Sequence, residues 1–274
     1  MNGMIFDGCY KTIIMNKITI LFFLLFGINL SFAECTMCAM SGIQFFPQQK
    51  EISMNSMFII EGYARSEKTI NSFENRKIYL ESEYGELVEL NLLETWKGQM
   101  SLTQAILKPT EELKPNTTYF LKYSGQTENE SREMRQYNRH KKKHEKVFWK
   151  TTNEKSIAHL NSSLQIKFQK TKVIHYGCGP SANAIFEIKN KSESEIWYKT
   201  EVVNLANNKK TTYYIKEWNG KLTVGHGMCS GAFTYSAKGM YKVRFTPLNI
   251  DGKTLKNTEW TVFESPFKND KSGF

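Results

Sequence analysis

Past residue 56 the chain alternates apolar and polar positions in short runs, each closed by Gly, Asn, Ser or Pro, and no long stretch keeps a helical period. The run from Glu86 to Glu94 shows the pattern plainly. Val88, Leu90 and Leu92 fall on one face and Leu87, Glu89 and Asn91 on the other, as a half-buried strand requires. The same reading predicts strands at Met57–Tyr63, Lys77–Glu83, Met100–Lys108, Thr117–Tyr123 and Val147–Thr151, with a hairpin turn at Tyr84-Gly85. A polar break follows at Thr152–Ser163, relieved by Ile157 and Leu160, and predicts a linker over residues 153–163. Beyond it the pattern predicts strands at Leu164–Lys170, Asn183–Lys189, Ile196–Asn204, Thr211–Trp218, Lys221–Val224, Met240–Thr246 and Glu259–Glu264. Asn207-Asn208-Lys209-Lys210 reads as an exposed connection and Asp251-Gly252 as a tight turn. The expected class is all-β: two tandem β-sandwiches over residues 43–152 and 164–266, then a polar tail at 267–274.

The segment ahead of these strands is of another kind. Lys11 and Lys17 precede an apolar run from Ile18 to Leu30, and Ser31-Phe32-Ala33 offers small residues for cleavage. This predicts a signal peptide over residues 1–33, with Met15 as the natural start and residues 1–14 as upstream over-annotation. The run is too short to favour a membrane span, which takes roughly 20 apolar residues. The mature chain is expected to begin near Glu34, to carry no transmembrane segment, and to work in the periplasm, on the cell surface or outside the cell. Cytosolic enzyme classes are thereby set aside.

With 18 Phe, 13 Tyr and 5 Trp, the chain has the aromatic content that strands favour. Its formal net charge is +10. Much of the excess sits between Ser131 and Lys146, where Arg132, Arg135, Arg139, Lys141, Lys142, Lys143 and Lys146 face only Glu133 and Glu145. Flanked by predicted strands, residues 130–146 read as a long loop joining the last two strands of the first sandwich. His140 and His144 would add charge in mildly acidic surroundings. Two readings stand: a solvated charged loop, or an arm for an anionic glycan, lipid or other envelope polymer. Tyr137, alone between Arg132 and Lys146, is too little for a base-stacking platform.

Leu113-Lys114-Pro115-Asn116-Thr117-Thr118-Tyr119 resembles the L-x-P-x-T-x-Y step of fibronectin type III and bacterial Ig-like domains. Lys238-Gly239-Met240-Tyr241-Lys242-Val243 resembles the G-x-Y lead into an Ig-type strand. The resemblance covers about seven residues in each half. It implies a tyrosine whose hydroxyl bonds back to the corner's backbone, and it implies no activity, since such sandwiches host unrelated functions. No cysteine follows two residues after Tyr241, so the inter-sheet bridge of antibody domains is not expected.

Removing Cys9 with the leader leaves Cys35, Cys38, Cys178 and Cys229. Four cysteines in an oxidising compartment point to two disulfides, and three pairings are open. The simplest pairs Cys35 with Cys38 and Cys178 with Cys229. The latter two lie in similar segments, His175-Tyr176-Gly177-Cys178-Gly179-Pro180 and His226-Gly227-Met228-Cys229-Ser230-Gly231, whose glycines imply loops. The alternative makes His175, Cys178, His226 and Cys229 a tetrahedral zinc or copper site, with Met228 favouring copper. Cys35-Thr36-Met37-Cys38, in an N-terminal lead-in over residues 34–42, lacks the helix and βαβ setting of a redox C-x-x-C. With Met37 and Met40 it offers soft ligands for Cu(I).

No Gly-x-Ser-x-Gly, His-Glu-x-x-His or phosphate loop is present, Glu111-Glu112 sits in turn-like surroundings, and His159 stands alone in the linker. The expectation is a non-enzymatic exported interaction or structural module without a cofactor, meeting an anionic envelope polymer or a protein. The alternative is a periplasmic zinc- or copper-binding protein.

Overall fold

The computed structural model describes Cys38 and residues 41–138 and 142–270. The fold is all-β, and the predicted runs are all strands; Ile196–Asn204 is one residue for residue. In the first half, the hydrogen-bonded order is β1 (Gly42–Phe46), β3 (Phe58–Tyr63), β6 (Leu102–Pro109), β5 (Leu87–Lys97), β4 (Ile78–Ser82), β7 (Thr118–Tyr123), β10 (Phe148–Thr151) and β2 (Glu51–Ile52). Every pairing is antiparallel except β2 with β10. Laid flat, the outer strands of such a sheet would stand ~34 Å apart, at ~4.8 Å per strand. Yet β1 and β2 are joined by residues 47–50 alone, which reach at most ~18 Å. The sheet therefore wraps upon itself.

What it wraps around is apolar. Ile52, Phe58, Ile60, Leu80, Leu107 and Trp149 are fully buried, and Phe58 meets Trp149 edge-on at 4.7 Å between centroids. The Trp149 indole N–H donates to the Pro47 carbonyl at 2.8 Å, fastening the β1–β2 crossing to the core. β5 turns the corner on the other side. It pairs with β4 through Leu87–Leu90 and with β6 through Leu90–Lys97, with a register shift between Leu92 and Glu94. A bulge of that kind bends and re-aims a strand.

The second half forms two sheets, β11 (Gln165–Tyr176)–β12 (Gly179–Lys189)–β15 (Lys221–His226) and β14 (Lys210–Lys216)–β13 (Ile196–Asn204)–β16 (Met240–Asn249)–β17 (Thr261–Glu264). Along β12, Ala182, Ala184, Phe186 and Ile188 are buried at a period of two. They pack with Tyr198, Tyr213, Phe233 and Phe245 of the same core. In each half a buried tyrosine closes a corner: Lys114 N donates to Tyr119 Oη at 2.9 Å, and Ser236 N to Tyr241 Oη at 2.8 Å.

One expectation needs correction. The described part of residues 130–146 is no loop: Glu128–Glu133 forms a helix, α2 (α1 being Glu67–Asn71), and a pair of strands follows, β8 (Arg135–Asn138) with β9 (Lys143–Lys146). Residues 153–163, expected as a linker, pack against the second half. Ala158 is buried, its carbonyl accepts from Asn249 Nδ2 at 2.8 Å, and Ser156 Oγ donates to Asp251 Oδ2 at 2.6 Å. The tail's opening is not wholly polar in setting, since Phe267 packs against the second core within a 3-10 turn at Pro266–Asn269.

The halves share buried surface. Trp197, Tyr214, Leu248 and Ile250 of the second half belong to the core of the first. Backbone bonds cross as well: Met57 N to Ile250 O at 2.7 Å, and a reciprocal pair between Met100 and Gly231. Gly231 is required there, because a Cβ would stand 2.1 Å from the His226 Cβ. Gln104 bonds both the N–H and the carbonyl of Tyr214, as a strand neighbour would.

Candidate functional site

The two His-x-x-Cys segments are neighbours. β11 and β12 pair out to Tyr176 and Gly179, so Cys178 lies in the hairpin tip. β15 ends at His226 beside Ala182, and Gly227 N donates to Ser230 O at 2.8 Å, closing the loop that carries Cys229. A Cβ on Gly179 would lie 3.8 Å from the Met228 carbonyl, so the turns touch.

The cysteines nevertheless do not pair with each other. Cys229 is bonded to Cys38, with Cα atoms 4.9 Å apart. This overturns both expected bridges, Cys178 with Cys229 and Cys35 with Cys38. Cys178 is also disulfide-bonded, and its partner lies outside the described residues, as do Cys35, Met37 and Met40. The physical reason lies in tertiary placement: Cys38, a few residues ahead of β1, stands beside the loop that carries Cys229. A bridge between residues 191 apart also withdraws far more freedom from the unfolded chain than one inside a C-x-x-C.

The zinc or copper reading loses its thiolates by the same finding. The histidines have protein partners too: His175 Nε2 meets Asp270 Oδ2 at 2.7 Å, and His226 Nδ1 the Gly227 carbonyl at 2.8 Å. His175, Cys178, His226 and Cys229 are close, but they do not form a ligand set, and no metal-binding group occurs among the described residues.

The basic segment is the more open site. Its start is fixed by a capping box: Thr127 Oγ1 accepts from Glu130 N, and Glu130 Oε2 accepts from Thr127 N. Glu130 also takes Arg76 Nη1 at 2.9 Å. Burial pushes the Glu130 carboxyl up, but its bonds from Thr127 and Arg76 outweigh that and hold it below the ordinary value. Met134 is buried, and Val147 N donates to its carbonyl, so the hairpin is pinned at both ends.

Alternation then sorts the hairpin's side chains. Gln136, Asn138 and Glu145 are half-buried, and Lys50 Nζ donates to Gln136 Oε1 at 3.1 Å. Arg135, Tyr137, His144 and Lys146 are exposed on the other face. Arg135 stands directly opposite Lys146, and Tyr137 opposite His144 with ring centroids 5.3 Å apart. Like charges facing across a ladder are destabilising. No described carboxylate comes within ion-pair distance of either cation; Arg135 instead donates to the His144 carbonyl at 2.9 Å. Elsewhere on the segment, Arg132 pairs with Glu128, and Lys143 lies 3.7 Å from Glu145. Lys142 occupies the left-handed backbone region beside the turn, while Arg139, His140 and Lys141 lie outside the described residues.

The remaining sequence candidates have structural roles. Glu112 pairs with Lys155 at 3.4 Å, and His159 is exposed with its carbonyl accepting from Ser192 and Ser194. Sequence reading missed one polar cluster between the halves. Glu61 Oε2 accepts from Tyr213 Oη at 2.9 Å and Gln104 Nε2 at 2.8 Å. Its signal was a carboxylate amid the apolar run Phe58-Ile59-Ile60, and an amide amid Leu102–Leu107.

No protein-family model and no curated protein sequence matches the chain. Solved structures resemble it weakly. A pullulanase from Anoxybacillus sp. LM18-11, complexed with maltotriose, is 8% identical over 77% of this chain and 24% of its own, with a TM-score of 0.24. A cytokine receptor complex is 10% identical over 81% of this chain and 94% of its own, at 0.23. A DUF4785 family protein from Legionella pneumophila is 8% identical over 79% and 54%, at 0.20. The chain thus spans about a quarter of the pullulanase's length, and likenesses at this level fix neither family nor function.

Proposed function

We propose that this protein is a non-catalytic exported interaction module, two fibronectin type III-like sandwiches locked together, which meets an anionic envelope polymer through the outward face of the β8–β9 hairpin. The observation that carries the reading is Arg135 set opposite Lys146 on an exposed face, with no described carboxylate within ion-pair distance of either. A fold gains nothing from that juxtaposition, whereas a polyanion laid across it is attracted by both cations at once. Tyr137 and His144 beside them supply an aromatic surface.

Strand order supports the architecture. The second half sorts its strands three and four, β11-β12-β15 against β14-β13-β16-β17, which is the division of a fibronectin type III sandwich. The tyrosine corners at Tyr119 and Tyr241 support it in both halves. The disulfide and the leader-like pattern of residues 1–33 support export.

Replacing Arg135 and Lys146 with Ala tests the reading on immobilised heparin at low salt. Retention falls if the hairpin is the binding face. Unchanged retention refutes it.

A further inference from the structure

Between the halves lies a cavity of about 270 Å³, set apart from the basic hairpin and lined by residues of both. Pockets of this kind, at a junction of domains, with mostly apolar walls and a few convergent polar groups, are where small ligands bind. At just under the ~300 Å³ where drug-sized pockets begin, this one suits a smaller molecule. Phe46 and Trp197 give it aromatic walls, and Glu61 and Lys216 give it one charge of each sign.

Each charge keeps an open position. Glu61 receives its hydrogen bonds from Tyr213 and Gln104 on Oε2, and no donor of a described residue reaches Oε1. Lys216 Nζ rests 5.0 Å from the centre of the Phe46 ring and makes no hydrogen bond or ion pair with any described residue. The surrounding carboxylates are engaged or too far away. Glu195 accepts from Trp197 Nε1 and from the backbone of Gln48 and Gln49, and Glu217 holds Lys191. Glu61 and Lys216 lie beyond the 4 Å of an ion pair from each other. Burial raises the Glu61 carboxyl and lowers the Lys216 ammonium; the bonds from Tyr213 and Gln104, and the attraction between Lys216 and the carboxylates of Glu195, Glu61 and Glu217, offset that desolvation only in part.

We infer that the interlobe cavity binds a small zwitterion of the free α-amino acid class, whose ammonium bonds Glu61 Oε1, whose carboxylate bonds Lys216 Nζ, and whose side chain lies against Phe46 and Trp197. Such a ligand supplies a cation to the bare acceptor and an anion to the bare ammonium in one step. A simple amine or a simple acid relieves only one of them and leaves the other half-buried without a partner, which is costly. The inference stands apart from the hairpin reading and does not depend on it.

Thermal denaturation of the intact exported protein with the common amino acids, each tested separately, reads the site. A binder present at about ten times its Kd raises Tm by about 3–6 °C. Its N-acetyl and amide derivatives, each lacking one charge, give no shift. Lys216→Met keeps the packing over Phe46 and Glu61→Gln keeps an acceptor for Tyr213, so both variants are expected to fold and to lose the shift. Arg135→Ala/Lys146→Ala keeps it, which separates this site from the basic face. If no amino acid moves the wild-type Tm, or if the shift persists in Lys216→Met, the inference is overturned.

Discussion

Removing the Cys38–Cys229 bridge gives the sharpest stability prediction. The bond joins residues 191 apart, tying the segment that enters β1 in the first half to the β15 loop of the second. In the chain-entropy account, a loop of that length withdraws about 5 kcal/mol of freedom from the unfolded state at 25 °C. For a chain of this size, each kcal/mol moves Tm by about 2–4 °C, so Cys38→Ser/Cys229→Ser should melt about 10–20 °C lower. Native contacts are little altered by a serine, so the loss should appear chiefly through the unfolded state. The assay is calorimetric melting of both proteins without reductant, with alkylation under denaturing conditions as its companion. Cys38→Ser alone frees one thiol in the second half, and the labelled peptide should contain Cys229, never Cys178. A melt unchanged within about 3 °C, or label on Cys178, would refute the reasoning.

Other perturbations have equally definite outcomes. Tyr119→Phe and Tyr241→Phe each leave a backbone N–H without its acceptor and should each cost about 1–3 kcal/mol in urea unfolding, whereas an unaffected midpoint means the corners do not brace the sandwiches. Burial raises the Glu201 carboxyl, but its bonds from Arg244 and Lys210 lower it further, so it ionises below the ordinary carboxylate value in the folded state. The resulting stability is present above that value and is lost as pH falls through the lower folded value. Glu201→Gln should therefore cost about 1–3 kcal/mol near pH 7 and progressively less in acid; a pH-independent difference would contradict the assignment. In a non-reducing peptide map of the mature protein, Cys38 should be linked to Cys229. If the proposed leader is cleaved with Cys9, Cys35 is the partner left for Cys178, and a Cys35–Cys38 peptide would exclude both.

The strands were legible because burial on one face of a sheet enforces alternation, and residues such as Val88 and Leu90 must obey it. β1 and β2 were missed for opposite reasons. The first reads Gly-Ile-Gln-Phe-Phe without clear alternation, and the second is two residues long. α2 and the β8–β9 hairpin were hidden by their charges, since a segment that buries little beyond Met134 leaves almost no apolar pattern. Both tyrosine corners could be read because the turn, the proline or glycine and the tyrosine are close in sequence. The cysteine pairing could not. Spacing brings Cys178 and Cys229 to neighbouring turns, but only the tertiary path carries Cys38 there first. The contact between the halves was equally illegible, although Glu61 and Gln104 stood out as polar residues within buried runs.

Function rests on whether the outward face of the hairpin holds a polyanion. The most direct measurement is the affinity for heparin in solution over a series of salt concentrations, for the wild type and for Arg135→Ala/Lys146→Ala. Each cation that displaces counterions adds nearly one to the slope of log K against log salt. The wild-type slope should therefore exceed that of the variant by about two, with weaker binding by the variant at every salt concentration below the screening limit. Equal slopes and equal affinities would mean that the face opposite Lys50 and Gln136 binds nothing, and that its unpaired cations are merely solvated.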